Sequence, residues 1–412
     1  MAAARYNELE LDSFKAANRM NQYRLLNVDA LRGFALLGIL AVNIWAFADP
    51  YFAVGINNPR YAGALDLAVR FVAALLFETK FYLLFSFLFG YSFTLQMAAA
   101  ERAGAAFRPR MQRRAFGLLV LGVLHGCFLF YGDILHLYGL LSFVLVTWAA
   151  SQRAALRGAA VLLLLSALML AVLGAVVMLA PEGMGADAEP ALAKLAAFHG
   201  DWRASLAYTM SEFPTTVALL LFAQGPSALA MFLLGRAAGR MQLFAHVDAF
   251  RHLLPRVLKV GLPVGLAGAT LYAAASEYDP DGTMIMFATA LSYLTAPFLT
   301  ASYVAGLLML FDSRFSARVV SALAPMGKIA LTNYLMQSVV MALLFTGYGL
   351  RLCNELPPLA VMALVFAIYF AQMTLSAWWL KRHTYGPAEW LLRAVTNGRW
   401  SDQRPVTQPP SR

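Results

Sequence analysis

Charge is what this chain has least of. Only 13% of its 412 residues are Asp, Glu, Lys or Arg, about half the share found in soluble globular domains. With 60% hydrophobic residues and a mean hydropathy of +0.63, water cannot be its only solvent. Cysteine is also scarce: Cys127 sits in an apolar run and Cys353 in a short loop, too few and too far apart for a disulfide framework or a zinc site. No Walker A sequence, Gly-x-Ser-x-Gly, His-Glu-x-x-His or Cys-x-x-Cys occurs. The signals of ATPases, serine hydrolases and zinc enzymes are therefore missing.

What the chain has instead is long apolar runs of about 20 residues, the length that crosses roughly 30 Å of hydrocarbon. They read as Leu31–Phe47, Phe81–Ala99, Ala115–Tyr131, Ile134–Ala150, Ala159–Ala180, Thr215–Ala237, Val260–Ala275, Met284–Phe311, Ala322–Phe345 and Pro358–Leu380. The expectation is an all-α, polytopic integral membrane helical bundle of about 10 transmembrane helices. The apolar stretch Ala62–Phe77 carries Asp66 and Arg70 and abuts Glu78-Thr79-Lys80, so it reads as an interfacial helix in preference to the start of a long second span. About 30 polar residues precede the first run, so it is a retained span rather than a cleaved signal peptide. Residues 1–28 then form a cytoplasmic segment, 29–400 one transmembrane domain and 401–412 a disordered tail, with no internal repeat.

The formal charge of +10 raises nucleic acid as a partner, and the placement of the basic residues argues against it. They lie between the apolar runs. Arg5, Lys15, Arg19 and Arg24, then Arg102 to Arg114, Arg153 and Arg157, Arg236 to Lys259, Arg314 and Arg318, and Lys381 to Arg399 all fall on one side of a ten-span bundle. The loop Pro181–Pro214, with Glu182, Asp187, Glu189, Asp201 and Glu212, and the turn Glu277-Tyr278-Asp279-Pro280-Asp281 fall on the other. By the positive-inside rule the basic side is cytoplasmic, and so are both termini.

Polar side chains inside the spans are costly and so carry the most information. Span three holds His125 beside the small pair Gly122 and Gly126, which directs the imidazole toward a neighbouring helix rather than lipid. Asp133 opens span four after a tight turn, at a depth about 12 Å or less from His125 by helical rise. An imidazole oriented by a carboxylate is a general-base arrangement, and it is also a way of satisfying two buried polar groups. His136 reads as a second base or an interfacial residue. In span one, Asp29 and Arg32 are spaced to pair on one helix face, with Arg32 open to a phosphate-bearing ligand. Asn43 lies near the depth of His125, suited to an oxyanion or a helix-to-helix hydrogen bond. Glu78 and Lys80 precede span two as a solvated pair or a substrate contact, and Tyr138 follows in span four. Asn333, Tyr334, Gln337 and Ser338 step along span nine as the wall of a cavity. Gln224-Gly225-Pro226-Ser227 and Pro297 predict kinks in spans six and eight.

Several of these segments carry a resemblance. Arg24-Leu25-x-x-Val28-Asp29-x-Leu31-Arg32-Gly33-Phe34 through Val42-Asn43, Leu84-Phe85-Ser86-Phe87-Leu88-Phe89-Gly90, Arg113-Arg114 and Gly122-x-x-His125 are four of them. Gly132-Asp133-Ile134-Leu135 with Tyr138, Leu331-Thr332-Asn333-Tyr334 with Gln337-Ser338, and Gly386-Pro387-x-Glu389-Trp390 with Arg393 complete the set. Together they resemble the YeiB family, bacterial membrane proteins with domain of unknown function 418, which is distantly similar to transmembrane acyltransferases. The resemblance implies a multi-pass protein of the bacterial cytoplasmic (inner) membrane that moves an acyl group from cytoplasmic acyl-CoA to an acceptor hydroxyl or amine at the outer face. Acyl-CoA is then a co-substrate rather than a tightly bound cofactor, and no metal is called for. No histidine precedes His125, so the histidine that such acyltransferases carry at the end of span one is replaced near Asn43.

The expected roles follow. His125, Asp133 and Asn43 form the catalytic set, while Asp29, Arg32, Lys80, His136, Tyr138, Asn333, Tyr334 and Gln337 contact substrate. The expected partners are the lipid bilayer, the acyl-CoA donor and an outer-face acceptor, with self-association left open and nucleic acid excluded. The reading from another class is a proton-coupled transporter or flippase of a small molecule or lipid-linked substrate, with His125 and Asp133 as the coupling pair. A third is a scaffold whose polar pairs only lock the bundle.

Overall fold

The computed structural model describes residues 26–52, 54–148, 151–179, 187–280, 282 and 284–400. The expectations placed on Arg5, Lys15, Arg19, Arg24, Glu182 and the tail 401–412 lie outside these residues. Among the described residues every regular element is helical.

The chain enters through α1 (Leu26–Ala48). A polar connection leads to α2 (Ala64–Leu76), which is followed by α3 (Lys80–Arg102). The two are separated by the turn Phe77-Glu78-Thr79, in which Thr79, at φ 67°, breaks the helical path. α4 (Phe107–Phe128) and α5 (Leu135–Thr147) form a hairpin, and α6 (Gln152–Met178) follows. Next come the short α7 (Glu189–His199), α8 (Trp202–Leu219) and α9 (Gly225–Arg240). The long pair α10 (Leu254–Tyr278) and α11 (Met284–Phe311) precedes α12 (Ser316–Lys328) and α13 (Ala330–Phe345). α14 (Pro358–Trp379) and the amphipathic α15 (Pro387–Asn397) close the described chain.

Seven of these passages are long and apolar enough to cross a bilayer, or eight if the bent pair α12 and α13 counts as one. The protein is a polytopic membrane helical bundle. Two of the expected spans take another form. α4 has the length but opens on Arg108, Arg110, Arg113 and Arg114. α5 has 13 residues, about 20 Å of helix, which is short of the hydrocarbon thickness.

Burial sorts the helices by position. In its most apolar stretch α1 is 72% buried and α6 only 17%, so α1 is the central post and α6 the outermost wall. Leu31, Leu36, Leu40 and Ile44 of α1 are fully enclosed, whereas Leu164, Leu168, Val172 and Val176 of α6 face outward. A contiguous leucine and valine face of that kind is stable in lipid and not in water.

Expected span nine, Ala322–Phe345, is not one straight helix. It is bent by 77° between Lys328 and Ala330, where Ile329 leaves helical geometry at φ −115° and ψ 44°. The backbone donors freed by the bend are satisfied from α15. Glu389 Oε1 accepts from the Leu331 and Thr332 amides at 2.6 and 3.1 Å, and Oε2 accepts from the Thr332 hydroxyl at 2.5 Å. The break foreseen in span six lies at a π-turn, Leu220–Gln224, just ahead of Gly225 and Pro226. Pro297 sits inside α11, which stays a single helix.

Candidate functional site

The α4–α5 hairpin brings its polar residues together because its glycines let the two helices nearly touch. Gly126 makes room for the Phe213 ring of α8, while within the hairpin a Cβ on Gly122 would lie 2.1 Å from the His136 amide nitrogen and one on Gly139 would lie 2.7 Å from the Leu119 amide nitrogen. Only glycine permits either approach.

Asp133 is the hub of the resulting cluster, and it is wholly enclosed. His125 Nδ1 lies 2.8 Å from Oδ1, and the Tyr334 hydroxyl of α13 donates to the same oxygen at 3.1 Å. On Oδ2 the His136 amide donates at 3.0 Å and His136 Nδ1 lies at 3.3 Å. The amide contact also caps the first turn of α5, which has no other side-chain cap. A carboxylate oxygen can only accept, so each Nδ1 facing it carries a proton, and in the neutral imidazole the lone pair is then on Nε2. Both Nε2 atoms are buried and without a hydrogen-bond partner. Two histidines poised by one carboxylate, each with an unengaged basic nitrogen, are equipped to accept protons.

Directly beside the cluster lies a cavity of about 250 Å³ that runs to the basic end of the bundle. Tyr138, Tyr334, Ile134 and Leu135 form its inner end, so Tyr334 is at once cavity wall and Asp133 donor. Tyr138 is held by Ser86 at 2.7 Å and by the Tyr82 carbonyl at 3.2 Å. The opposite end is cationic, with Arg32, Arg110, Arg114, Lys328 and Arg393 against the carboxylate of Glu389. Arg32 is fixed by Asp29 at 2.8 Å and by Ser92. Such an excess of positive charge in a concave, partly enclosed wall favours an anionic ligand.

The other expected site residues fall elsewhere. Asn333 donates to the Met326 carbonyl and to Ser376, while Gln337 donates to Gln372 at 3.0 Å, and Gln372 returns a bond to the Asn333 carbonyl. These two residues stitch α13 to α14 and do not line the cavity. Lys80 is completely buried, and its Nζ donates to the Ala74 carbonyl at 2.9 Å, so it is neither a solvated partner of Glu78 nor a cavity residue. Asn43 is half-buried near the end of α1, and among the described residues no hydrogen bond joins it to the cluster. Asp29 acts on the cavity only through Arg32.

Four cavity cations were not legible as site residues: Arg110, Arg114 and Arg393 read as topology charges, the last two also as parts of family motifs, and Lys328 lies within expected span nine. One pattern pointed further: Arg110 with Arg114, and Glu389 with Arg393, are each four apart and share a helix face.

These features define a polytopic α-helical membrane protein with a buried His–Asp–His–Tyr cluster of which Tyr334 alone lines the adjoining cationic cavity, His125, Asp133 and His136 lying behind its wall. The chain belongs to the YeiB/DUF418 family. Residues 238–399 match the family model described as "Protein of unknown function (DUF418)". Over 393 residues the chain is 32% identical to "Uncharacterized protein YxaH" of Bacillus subtilis (strain 168), covering 90% of this chain and 94% of that relative. It is 29% identical over 389 residues to "Uncharacterized protein YeiB" of Escherichia coli (strain K12), with coverage of 90% and 96%. It is 28% identical over 382 residues to "Uncharacterized 39.9 kDa protein in amylase 3'region" of Bacillus acidopullulyticus, with coverage of 91% and 94%.

Proposed function

We propose that this protein is an acyltransferase of the bacterial inner membrane, taking an acyl group from cytoplasmic acyl-CoA and passing it to a hydroxyl or amine acceptor presented from the outer face. The observation that carries the reading is the continuity between the cationic wall and the Asp133 cluster through Tyr334. By the positive-inside rule the cationic end is cytoplasmic, where acyl-CoA is found. The phosphates of the donor would pair with Arg32, Arg110 and Arg114, guanidinium being suited to phosphate. The slender pantetheine arm would follow the apolar walls of Phe85, Leu88 and Leu118 toward Tyr334 and Tyr138.

The chemistry needs one base. Nε2 of His125 takes the proton of the acceptor O–H or N–H as the acceptor atom attacks the thioester carbonyl carbon. The tetrahedral intermediate collapses with cleavage of the C–S bond, and the proton passes from His125 to the departing CoA thiolate, giving acyl-acceptor and free CoA. Asp133 stabilises the imidazolium formed in between, and Tyr334 and His136 hold Asp133 in place. His136, on the other oxygen of Asp133, is the alternative base. Asn43 takes no part in these steps.

Direct binding of CoA and acetyl-CoA to the purified protein in lipid nanodiscs tests the donor assignment. Micromolar binding that weakens as salt is raised supports it. No binding across acetyl-, butyryl- and palmitoyl-CoA rejects it in favour of proton-coupled transport.

A further inference from the structure

A second cavity, of about 390 Å³, lies at the end of the bundle opposite the cationic one, and acyl-CoA binding makes no use of it. Its volume falls within the range of small-molecule sites. It is built where α1 ends, where α2 meets α3 and where α10 ends, and its polar wall holds Asp49, Arg70, Glu78 and Glu277.

Two buried atoms on that wall have nothing to bond to. The Arg70 guanidinium lies over the Trp45 ring at 4.4 Å and the Phe52 ring at 5.3 Å, and it faces Glu277 at 3.6 Å. Its Nη1 has no hydrogen-bond partner. Glu78 is 6% exposed; its Oε2 accepts from the Tyr272 hydroxyl at 2.7 Å, and its Oε1 has no partner. The same cavity thus presents an unused donor on a cation and an unused acceptor on an anion. Leaving either unpaired is costly. The nearby lysines do not resolve this, since Lys80 is engaged by the Ala74 carbonyl and Lys194 by the Asp49 carbonyl.

We propose that this cavity binds a zwitterion, with its ammonium toward Glu78 and Asp49 and its anionic oxygen toward Arg70. Three lining carboxylates against one guanidinium favour an ammonium over a simple anion, and the aromatic rings of Trp45 and Tyr272 on the same wall suit an organic cation. A neutral polyol would satisfy the geometry of the two unpaired atoms without using their charges. Either a free small zwitterion or the ethanolamine headgroup of a phospholipid supplies the required pair of groups. The inference does not rest on the acyl-CoA assignment.

The test uses the full protein in nanodiscs with three soluble probes, phosphoethanolamine, ethanolamine and inorganic phosphate. Native mass spectrometry then follows from nanodiscs of phosphatidylethanolamine or of phosphatidylglycerol. Phosphoethanolamine binding at least ~10-fold tighter than either fragment identifies a free zwitterion, because both charge-assisted contacts are then being made. Selective retention of phosphatidylethanolamine identifies the lipid headgroup. In either case Glu78→Gln and Arg70→Gln weaken binding by ~10-fold or more. If a variant does not fold, the comparison of the three probes on wild type still decides. Inorganic phosphate binding that equals phosphoethanolamine binding and is lost in Arg70→Gln, retention of neither lipid with no soluble binding, or a folded Glu78→Gln protein that binds unchanged overturns the proposal.

Discussion

The Tyr334 hydroxyl donates to Asp133 at 3.1 Å across 201 positions of sequence, and this contact joins the cavity wall to the buried carboxylate. Replacing Tyr334 with Phe removes the bond while keeping the ring. Losing a hydrogen bond to a buried charge costs about 1.5–3 kcal/mol, which thermal unfolding in nanodiscs will read as a lower midpoint. Thioester turnover is expected to fall together with stability, since Asp133 loses one of the groups that position it.

Gly122 sets the spacing of the α4–α5 hairpin. An alanine there would put its Cβ 2.1 Å from the His136 amide and push apart the two helices that carry His125 and His136. The expected cost is about 1–3 kcal/mol, as for overpacking elsewhere. Gly122→Ala should lower both the unfolding midpoint and activity, whereas alanine at Gly104, which has open space around it and a positive φ, strains only an exposed turn and should leave activity intact.

Arg110 tests the cationic wall apart from the chemistry. Arg110→Gln removes one phosphate partner and is expected to weaken CoA binding by ~10-fold. It should also flatten the salt dependence, with little change in the rate at saturating donor. Titration of CoA at two ionic strengths checks both.

Glu389 gives the docking of α15 a pH dependence. Burial, outweighing the hydrogen bonds from Thr332 and Leu331, raises its carboxyl above the usual carboxylate value of 4.5. The folded protein therefore holds a proton that the unfolded chain releases, and its stability falls as pH rises from the ordinary carboxylate range through the raised value. Hydrogen exchange at the Leu331 and Thr332 amides should quicken over that window beyond the intrinsic base dependence of exchange. Glu389→Gln should remove this extra rise.

The class of the protein was legible because lipid imposes long apolar runs, and α6 and α11 could hardly be read otherwise. The pairing of His125 with Asp133 was also within reach, since the two are eight positions apart and joined by one tight turn. Tyr334 was foreseen as a cavity residue, but its bond to Asp133 depends on how α13 packs against α5. The same limit explains Asn333 and Gln337: helical spacing grouped them with Tyr334, while Ser376 and Gln372 of the facing α14 decided that they would bind that helix instead. The bend at Ile329 was hidden because the carboxylate that satisfies its freed amides, Glu389, lies about 60 residues further on. Arginines 110 and 114 read as topology charges, and only the fold turns them inward toward a shared cavity.

The most direct test of the central claim is thioester cleavage by the purified protein in lipid, comparing wild type with a folded His125→Gln variant and including an amine or hydroxyl acceptor. Acyl transfer predicts release of free CoA by wild type and a fall of ~10²–10⁴-fold in the variant, with CoA binding retained. Equal CoA release by both proteins, or none by wild type while CoA binds, would contradict it.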